Sequence, residues 1–364
     1  MIETNYKVSV ITVAYNSVST IEKTIQSVVH QTYKNIEYIV IDGGSIDGTQ
    51  QVIERYLNHI SYYISEKDNG LYYAMNKGIS KATGDIIGII NSDDWYVEDA
   101  IEAVVECFSK YDIELVYGKI VTVLEKNKEQ VFHKVPLENM WFQMVIPHPS
   151  VFVKKDIYDR FGMFNINYSL SSDYELILRF YSKNVKFWYL DKIIAYFRSG
   201  GISTKKRMLS YEEGYRISML YIDRCPNKDS ILTKIKEIYN QVYFEEKIMN
   251  DPFIWSKLLN DYFHTNIQDI IIFGTGIWGQ KCYEIFIKTN IAISYYVDND
   301  SSKWNTKIHN IKVIAPSELK NIVGYVFVAV NKYEEQIKQQ LENISNNKLR
   351  IVCLNEIKKL SYIV

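Results

Sequence analysis

Four short apolar runs, each rich in β-branched residues, recur in the first 90 residues of the chain. They span residues 8–13, 36–41, 60–65 and 86–90. The segments between them carry apolar residues at helical spacing, for example Ile21, Ile25 and Val28. Strand patterns that alternate with helix patterns predict a parallel sheet covered by helices. The predicted fold is therefore α/β, with a mostly parallel, doubly wound sheet in the N-terminal part.

Polar and acidic residues follow each of these predicted strands. They are Asn16, Asp42, Glu66, Asp68, Asp93 and Asp94. In parallel sheets, ligands bind outside the carboxyl ends of the strands. We therefore expect these side chains to surround one site at a single edge of the sheet.

The adjacent aspartates Asp93 and Asp94 directly follow the run 86–90. Two neighbouring carboxylates repel each other unless a cation lies between them and another anion. A divalent metal that bridges a carboxylate to a diphosphate would meet this condition. An aspartate-rich turn that caps a helix beginning near Val97 is the alternative, and this segment alone does not separate the two.

Length, charge and cysteine spacing restrict the class of protein. A chain of 364 residues is long enough for two domains. The formal net charge of -1 argues against nucleic acid as a partner, because phosphate backbones select strongly basic surfaces. The four cysteines lie far apart, which predicts reduced thiols in a cytoplasmic protein. No apolar run approaches the roughly 20 residues that span a bilayer.

Seven short segments together resemble the family 2 inverting glycosyltransferases of the GT-A fold. They are Thr12-Val-Ala-Tyr-Asn16, Ile41-Asp-Gly-Gly-Ser45, Ser65-Glu-Lys-Asp-Asn-Gly70, Ala74-Met-Asn-Lys-Gly78, Asn91-Ser-Asp-Asp94, Ser172-Asp-Tyr-Glu175 and Phe197-Arg-Ser-Gly-Gly-Ile-Ser203. The resemblance covers residues 7 to about 205. It is greatest to the bacterial enzymes that build exopolysaccharide, capsule and related surface glycans.

The resemblance implies roles in binding a nucleotide-sugar donor. Tyr15 and Asn16 are expected to hold the nucleotide base, and Asp42 to accept a hydrogen bond from a ring nitrogen of uracil or thymine. Glu66 and Asp68 are expected to contact the base, the ribose or the sugar.

Two further residues enter the predicted donor site from later in the chain. His148, between two prolines in a predicted rigid loop, is a candidate contact to phosphate, metal or acceptor. A buried structural histidine is an equal alternative for this position. Arg198, beside the predicted hinge Gly200-Gly201, is expected to reach the phosphates of the donor.

The resemblance also implies a metal site and a general base. Asp93 would contact ribose or metal, and Asp94 would coordinate Mn²⁺ or Mg²⁺, with Ser92 where many relatives have a third aspartate. Asp173 would take the proton of the acceptor hydroxyl in an inverting single displacement. Capping of a helix N-terminus would by itself also explain an aspartate at position 173.

A second glycine-rich segment marks the C-terminal part of the chain. Gly274, Gly276 and Gly279 lie between a predicted strand and a predicted helix, and Asp298 follows about 20 residues later. This order is typical of dinucleotide-binding modules. These four residues are therefore nucleotide-binding candidates in a Rossmann-like module. A docking module that binds no nucleotide is the alternative.

These observations predict three segments: a GT-A domain at 1–205, a helical linker at 206–266 and a Rossmann-like module at 267–364. The edge strands of the GT-A sheet are predicted at 115–124 and 130–135. The predicted function is metal-assisted transfer of a sugar from a nucleotide-sugar, preferably a UDP-sugar, to a hydroxyl of a glycan, glycolipid or glycosylated protein.

The alternative function is a non-catalytic subunit that binds a sugar nucleotide or serves as a scaffold, with the C-terminal module docking partners. A nucleotidyltransferase would instead need a glycine-rich, basic loop after the first strand. The segment Tyr15-Asn16-Ser17 at that place is not such a loop. Peripheral association with the inner face of a membrane, and a homo-oligomer, are compatible with the predicted transferase.

Overall fold

A nine-stranded mixed sheet forms the centre of the N-terminal part in the computed structural model, which describes residues 6–124, 128–248, 250–330, 332–345 and 348–360. Its strands are β1 (Val8–Ala14), β2 (Ile36–Asp42), β3 (Tyr62–Ser65), β4 (Ile86–Asn91), β5 (Trp95–Tyr96), β6 (Leu115–Val123), β7 (Glu129–Val131), β8 (Phe152–Lys154) and β9 (Phe187–Arg198). They lie in the order β3-β2-β1-β4-β8-β6-β9-β5, and β7 pairs with β6. The first four strands are parallel, which confirms the predicted arrangement.

Helices cover both faces of this sheet. The helices from residue 21 to residue 243 are α1 (Ile21–Val29), α2 (Thr49–Glu54), α3 (Leu71–Lys81), α4 (Ala100–Lys110), α5 (Lys155–Phe161), α6 (Ser172–Ser182), α7 (Ile202–Lys205), α8 (Arg207–Tyr221) and α9 (Lys228–Tyr243). One apolar layer joins the sheet to α3 and α6, and the other joins it to α1 and α4. The chain divides into two units, Met1–Ile235 and Lys236–Val364, and the boundary falls within the predicted linker.

Strand β4 is buried on both faces, as its apolar sequence predicts. Gly88 lies within it, and a Cβ atom at this position would be 2.4 Å from Cε1 of Phe152. Because real Cβ contacts are not that close, glycine is required to let the Phe152 ring pack across the strand. Here β8 runs antiparallel beside β4.

The prediction that residues 115–124 form an edge strand is wrong. Strand β6 pairs with β8 and β7 along one side and with β9 along the other, so it lies inside the sheet. Of the predicted strand 130–135, only the first residues belong to β7. Local sequence does not reveal these partners, because β8 and β9 are contributed from far along the chain.

The C-terminal unit contains a separate, mostly parallel sheet. Its strands are β10 (Asp269–Phe273), β11 (Ala292–Val297), β12 (Lys307–Ile308), β13 (Ile311–Ile314), β14 (Gly324–Val328) and β15 (Leu349–Cys353), and its helices are α10 (Pro252–Phe263), α11 (Ile277–Lys288), α12 (Glu334–Ser345) and α13 (Leu354–Leu360). The order is β12-β13-β11-β10-β14-β15. Without the short antiparallel β12, this is the 3-2-1-4-5 order of doubly wound sheets.

None of the helices in the described ranges combines the length and the apolar character that crossing a bilayer requires.

Candidate active site

The carboxyl ends of β1, β2, β3 and β4 meet at one edge of the N-terminal sheet. Ala14 of β1 is in register with Asp42 of β2, which is in register with Ser65 of β3. On the other side of β1, Val13 is in register with Asn91 of β4. The loops that carry the predicted donor-binding residues therefore begin side by side.

Asp42 is completely buried, and its carboxylate already accepts three hydrogen bonds. Oδ1 accepts from Ser45 Oγ at 2.5 Å, and Oδ2 accepts from the Ser45 N–H at 3.0 Å and from Ser65 Oγ at 2.5 Å. The structure thus brings Asp42 to the predicted edge but uses its side chain to join the ends of β2 and β3.

Asn16 and Tyr15 follow β1 and differ in exposure and contacts. The Asn16 N–H donates to Ser45 Oγ at 2.7 Å, and its Oδ1 accepts from the Ile46 N–H at 3.0 Å. Asn16 therefore holds the loop after β2. Tyr15 is 66% exposed, so its ring remains open for stacking.

Asp68 has one occupied and one unoccupied carboxylate oxygen. Oδ1 lies 2.6 Å from Lys77 Nζ, whereas buried Oδ2 has no hydrogen-bond partner among the described residues. A Cβ atom at Gly43 would be 3.7 Å from Asp68 Oδ2 and 3.4 Å from Tyr15 Cδ2. Gly43 therefore lies between the Tyr15 ring and the unpaired oxygen of Asp68, within contact distance of both.

Glu66 shares Lys77 with Asp68. Its Oε1 is 2.6 Å from Lys77 Nζ, and its side chain is more than half exposed. Although burial by itself would lower the pKa of Lys77, the hydrogen bonds that Lys77 donates to Asp68 and Glu66 raise it. Lys77 is therefore a charged group that holds the two carboxylates together.

Asp94, which follows the metal-site candidate Asp93 in the chain, is completely buried. Asp94 Oδ1 accepts the Arg198 N–H at 2.9 Å, and its main-chain oxygen accepts from Thr24 Oγ1 at 2.6 Å. Its buried Oδ2 has no partner among the described residues. Burial and the Asp93 charge raise the pKa of Asp94 well above its usual range, and Arg198 partly opposes this.

Asp93 is half-buried and is the more accessible of the two carboxylates. Burial raises its pKa, and the charge of Arg198 partly lowers it again. No cluster of three or more His, Cys, Asp or Glu side chains suited to a metal ion occurs in the described part of the chain. A metal held here would therefore need phosphate oxygens or water as further ligands.

Two cations flank Trp95, the residue after Asp94. Lys23 Nζ lies 3.3 Å from the centroid of the Trp95 ring, and the guanidinium carbon of Arg198 lies 5.8 Å from it. Burial and the charge of Arg198 lower the pKa of Lys23. Sequence reasoning missed Lys23, because a lysine on an amphipathic helix is ordinarily a solvated residue.

Asp173 lies in the first turn of α6 and accepts a hydrogen bond from a residue of α3. The Tyr72 hydroxyl donates to Asp173 Oδ1 at 3.1 Å. Burial raises the pKa of Tyr72 well above its usual range, and the Asp173 charge adds to this, so the hydroxyl remains a donor. Sequence reasoning missed Tyr72, whose place on a helix face predicts only a core residue.

The rings of His148 and Tyr72 both lie beside the ring of Phe164. The ring centroids of Tyr72 and Phe164 are 5.4 Å apart, and those of His148 and Phe164 are 5.9 Å apart. Burial lowers the pKa of His148, and the Asp173 charge partly offsets this. The predicted rigid loop is in fact one turn of 3₁₀-helix, His148–Ser150, which accommodates Pro149 within its first turn.

In the C-terminal unit, the candidate Asp298 is fully engaged by the protein. Oδ2 accepts from Thr275 N–H at 3.2 Å, from Thr275 Oγ1 and from Lys303 Nζ at 3.0 Å, and Oδ1 accepts from Asp300 N–H at 2.9 Å. These bonds leave the carboxylate little capacity for a ribose hydroxyl.

The three candidate glycines of this unit surround the N-terminus of α11. A Cβ atom at Gly279 would be 1.9 Å from the Gly274 oxygen, so the close packing of helix and loop requires glycine. Gly274 has a φ of +104°. Gly276 directly precedes α11, and a Cβ atom there would meet nothing within 4 Å.

Comparisons with known proteins identify relatives of both parts of the chain. The model for glycosyl transferase family 2 matches residues 9–169, and a model described as C2185-like, N-terminal, matches residues 266–362. An uncharacterized glycosyltransferase of Mycobacterium tuberculosis is 32% identical over 178 residues, which are 47% of this chain and 68% of that protein. Glycosyltransferase GlyA of Streptococcus pneumoniae is 28% identical over 148 residues, which are 40% of this chain but only 21% of GlyA.

Solved structures share the fold at lower identity. S. aureus TarS has a TM-score of 0.54 and 19% identity, and the match covers 71% of this chain and 49% of TarS, about half its length. A shorter TarS chain, residues 1–349 in complex with UDP, has a TM-score of 0.53 and 19% identity, with 67% and 73% covered. The sequence matches and the shared fold lead to one conclusion: this chain is a glycosyltransferase that belongs to family 2 and has the GT-A fold.

Proposed function

We propose that this chain transfers a sugar, with inversion, from a UDP-sugar to a hydroxyl of a glycan, glycolipid or glycosylated protein, assisted by Mg²⁺ or Mn²⁺. One observation carries the proposal. The buried oxygens Asp68 Oδ2 and Asp94 Oδ2, in two loops at the same sheet edge, have no hydrogen-bond partner among the described residues. Buried acceptors without donors are costly, and a bound nucleotide and cation would satisfy both.

The base would lie between the Tyr15 ring and Asp68, beside Gly43. The Tyr15 ring would stack on the base, and Asp68 Oδ2 would accept the imide N–H of uracil. Asp42, whose oxygens already accept three hydrogen bonds, would act by holding Ser45 and the end of β3 in place. The imide contact that the family resemblance assigns to Asp42 would thus pass to Asp68.

The carboxylates of Asp93 and Asp94 fit a magnesium-type site. Such ions are held by one or two carboxylates, with substrate phosphates and water as the remaining ligands. Asp93 would offer its more accessible oxygens, and Asp94 would offer Oδ2. When bound, the ion neutralises charge on the departing diphosphate. Arg198 would add its positive charge on the same side.

Asp173 would be the general base. As the acceptor oxygen forms its bond to the anomeric carbon, the bond from that carbon to the phosphate oxygen breaks and UDP leaves from the opposite face. The acceptor proton passes to the carboxylate of Asp173. Tyr72, which donates to Asp173 Oδ1, would leave Oδ2 to face the acceptor.

The test measures both donor binding and turnover. TarS has been crystallised with UDP and with UDP-GlcNAc, so these are suitable first ligands. We expect UDP to bind more tightly with Mg²⁺ than with EDTA, and the chain to release UDP slowly from at least one UDP-sugar when no acceptor is present. Failure of UDP to bind under either condition would contradict the proposal.

For the C-terminal unit, the contacts of Asp298 favour docking or assembly over nucleotide binding. Full-length chain titrated with NAD⁺ or UDP should show no second binding event beyond the donor site. A second event that disappears on Asp298→Asn would contradict this assignment.

A further inference from the structure

Glu213, on α8, is a buried carboxylate that accepts four hydrogen bonds from one short loop. Oε1 accepts from the N–H and the Oγ of Ser169 at 2.8 and 2.9 Å. Oε2 accepts from the N–H groups of Leu170 and Ser171, both at 2.9 Å. Four donors match the capacity of a carboxylate, so this loop is tied to α8 by every oxygen lone pair that Glu213 offers.

This loop leads directly into the turn that carries Asp173. Ser171 is the N-cap of α6, and Asp173 lies in the first turn of that helix. Hydrogen bonds to a charged acceptor are roughly twice as strong as neutral ones. Glu213 therefore fixes the entry to α6 more firmly than the ordinary contacts of a surface loop would.

Two further residues of α8 contact α6 immediately after Asp173. Ser218 Oγ lies 2.8 Å from the Tyr174 hydroxyl, and the Tyr221 hydroxyl donates to Glu175 Oε1 at 2.5 Å. Contacts from α8 thus reach α6 on both sides of Asp173 along the chain. They leave the Asp173 side chain itself to Tyr72.

We propose that Glu213 is a positioning residue for glycosyl transfer, which acts by holding Asp173 where it takes the proton of the acceptor. The proposal rests on the role assigned to Asp173 above. A general base must come within hydrogen-bond distance of the proton it removes. A displacement of about 1 Å can lower the rate of an enzyme by roughly 100-fold.

The affinity for UDP distinguishes a positioning role of Glu213 from a purely structural role. The donor site is built by the loops after β1, β2, β3 and β4, and none of the hydrogen bonds described for it involves α8. Loss of the Glu213 contacts should therefore lower turnover and leave the affinity for UDP unchanged. A general loss of structure would reduce both.

The experiment compares Glu213→Gln with Glu212→Gln in the full chain. Glutamine keeps one acceptor oxygen, but in either orientation its NH₂ group faces at least one main-chain N–H donor, so at least one of the four bonds is lost and two donors oppose each other. Glu212→Gln removes the same charge from the adjacent position of α8. The assay is UDP release from UDP-GlcNAc, or from whichever UDP-sugar the wild type hydrolyses fastest, together with calorimetric titration of UDP.

For Glu213→Gln we expect kcat to fall about 10- to 100-fold, with the Kd of UDP within about twofold of wild type. Glu212→Gln should match the wild type. Ser169→Ala, which removes one donor and leaves the main chain intact, should show a smaller decrease in kcat. This milder variant keeps the test decisive if Glu213→Gln folds poorly.

A double variant separates action through Asp173 from any other effect. If Glu213 acts through Asp173, Glu213→Gln should have little further effect on single-turnover rates in an Asp173→Asn background. The inference would be overturned if Glu213→Gln lowered the rate in the Asp173→Asn background by the same factor as in the wild type. Equal rates for Glu213→Gln and Glu212→Gln would also overturn it, and in either case the proposed function would stand. A wild type that neither binds UDP nor releases it would overturn the proposed function, and this inference with it.

Discussion

The Tyr72 hydroxyl donates a hydrogen bond of 3.1 Å to Asp173 Oδ1, across a separation of 101 residues in the chain. Tyr72 lies on α3, which packs on the sheet that carries the donor loops, whereas Asp173 opens α6. The contact therefore places the proposed base against α3, the same helix whose Lys77 pairs with Glu66 and Asp68. Helix α3 therefore contacts residues of the proposed donor site and the proposed general base.

Removal of this hydroxyl should impair catalysis without affecting donor binding. In Tyr72→Phe, Asp173 keeps its charge but loses the donor that orients it, so we expect kcat to fall about 10-fold, as for a general base set slightly out of place. UDP release measures kcat, and calorimetry with UDP measures binding. Tyr73→Phe, the adjacent and exposed tyrosine, is the control. Equal rates in both variants would exclude an orienting role for Tyr72.

Asp68 should determine the preference for uracil. A carboxylate accepts the imide N–H of uracil but repels the N3 lone pair of cytosine. We expect the wild type to bind UDP at least about 10-fold more tightly than CDP, and Asp68→Asn to lose most of that preference.

Glu66→Gln is the matched control for Asp68→Asn, because it removes the other carboxylate that pairs with Lys77. Its UDP-to-CDP ratio should equal that of the wild type. If this ratio also survives in Asp68→Asn, the base is recognised elsewhere.

Asp94→Asn should abolish the effect of metal on UDP binding. An asparagine side chain can still accept the Arg198 N–H through Oδ1, so the loop is retained, but an NH₂ group replaces the candidate ligand oxygen Oδ2. We expect the difference in UDP affinity between Mg²⁺ and EDTA to be about 10-fold or more in the wild type and near zero in the variant. A variant that keeps the full difference would remove Asp94 from the metal site.

Glu37 should stabilise the fold above mildly acidic pH. Burial opposes its ionisation, but hydrogen bonds from Lys7, Ser9 and Thr83 lower its pKa from 4.5 to about 2. Because the pKa is lower in the folded state, the stabilisation is present above pH 4.5 and is lost as the pH falls towards about 2. The shift corresponds to about 3 kcal/mol.

Urea unfolding of Glu37→Gln measures this contribution. Its free energy of unfolding should be lower than that of the wild type at pH 7, and the difference between the two should be smaller at pH 3. Glu22→Gln, which breaks the exposed pair with Arg55, should change stability by less than about 1 kcal/mol at either pH. If the free energies of unfolding of Glu37→Gln and the wild type differ by the same amount at both pH values, the lowered pKa of Glu37 is contradicted.

Local patterns in the sequence predict the parts of this molecule that depend on short-range order. The runs that became β1 to β4 have β-branched residues and a polar turn at each end, and those features are visible within a few residues. The acidic residues after these strands lie at one edge because parallel strands must end there. The strand and the helix on either side of the glycines in the C-terminal unit are likewise visible in a short segment.

The remainder depends on contacts between distant residues. The sequence pattern predicts β6 at an edge, because a local pattern does not show that β8 and β9, from later in the chain, pair with it. The three hydrogen bonds that occupy Asp42 depend on the register of β2 with β3. Glu213 lies in a helix whose sequence carries no chemical signal, and its importance appears only once the loop before α6 lies against it.

The rate of UDP release by Asp173→Asn tests the proposed mechanism most directly. The assay uses saturating UDP-sugar with Mg²⁺, and Asp159→Asn on α5 is the control. If Asp173 is the general base, the rate should fall about 100- to 10,000-fold while the Kd of UDP remains that of the wild type. An unchanged rate, with unchanged UDP binding, would contradict the proposed mechanism.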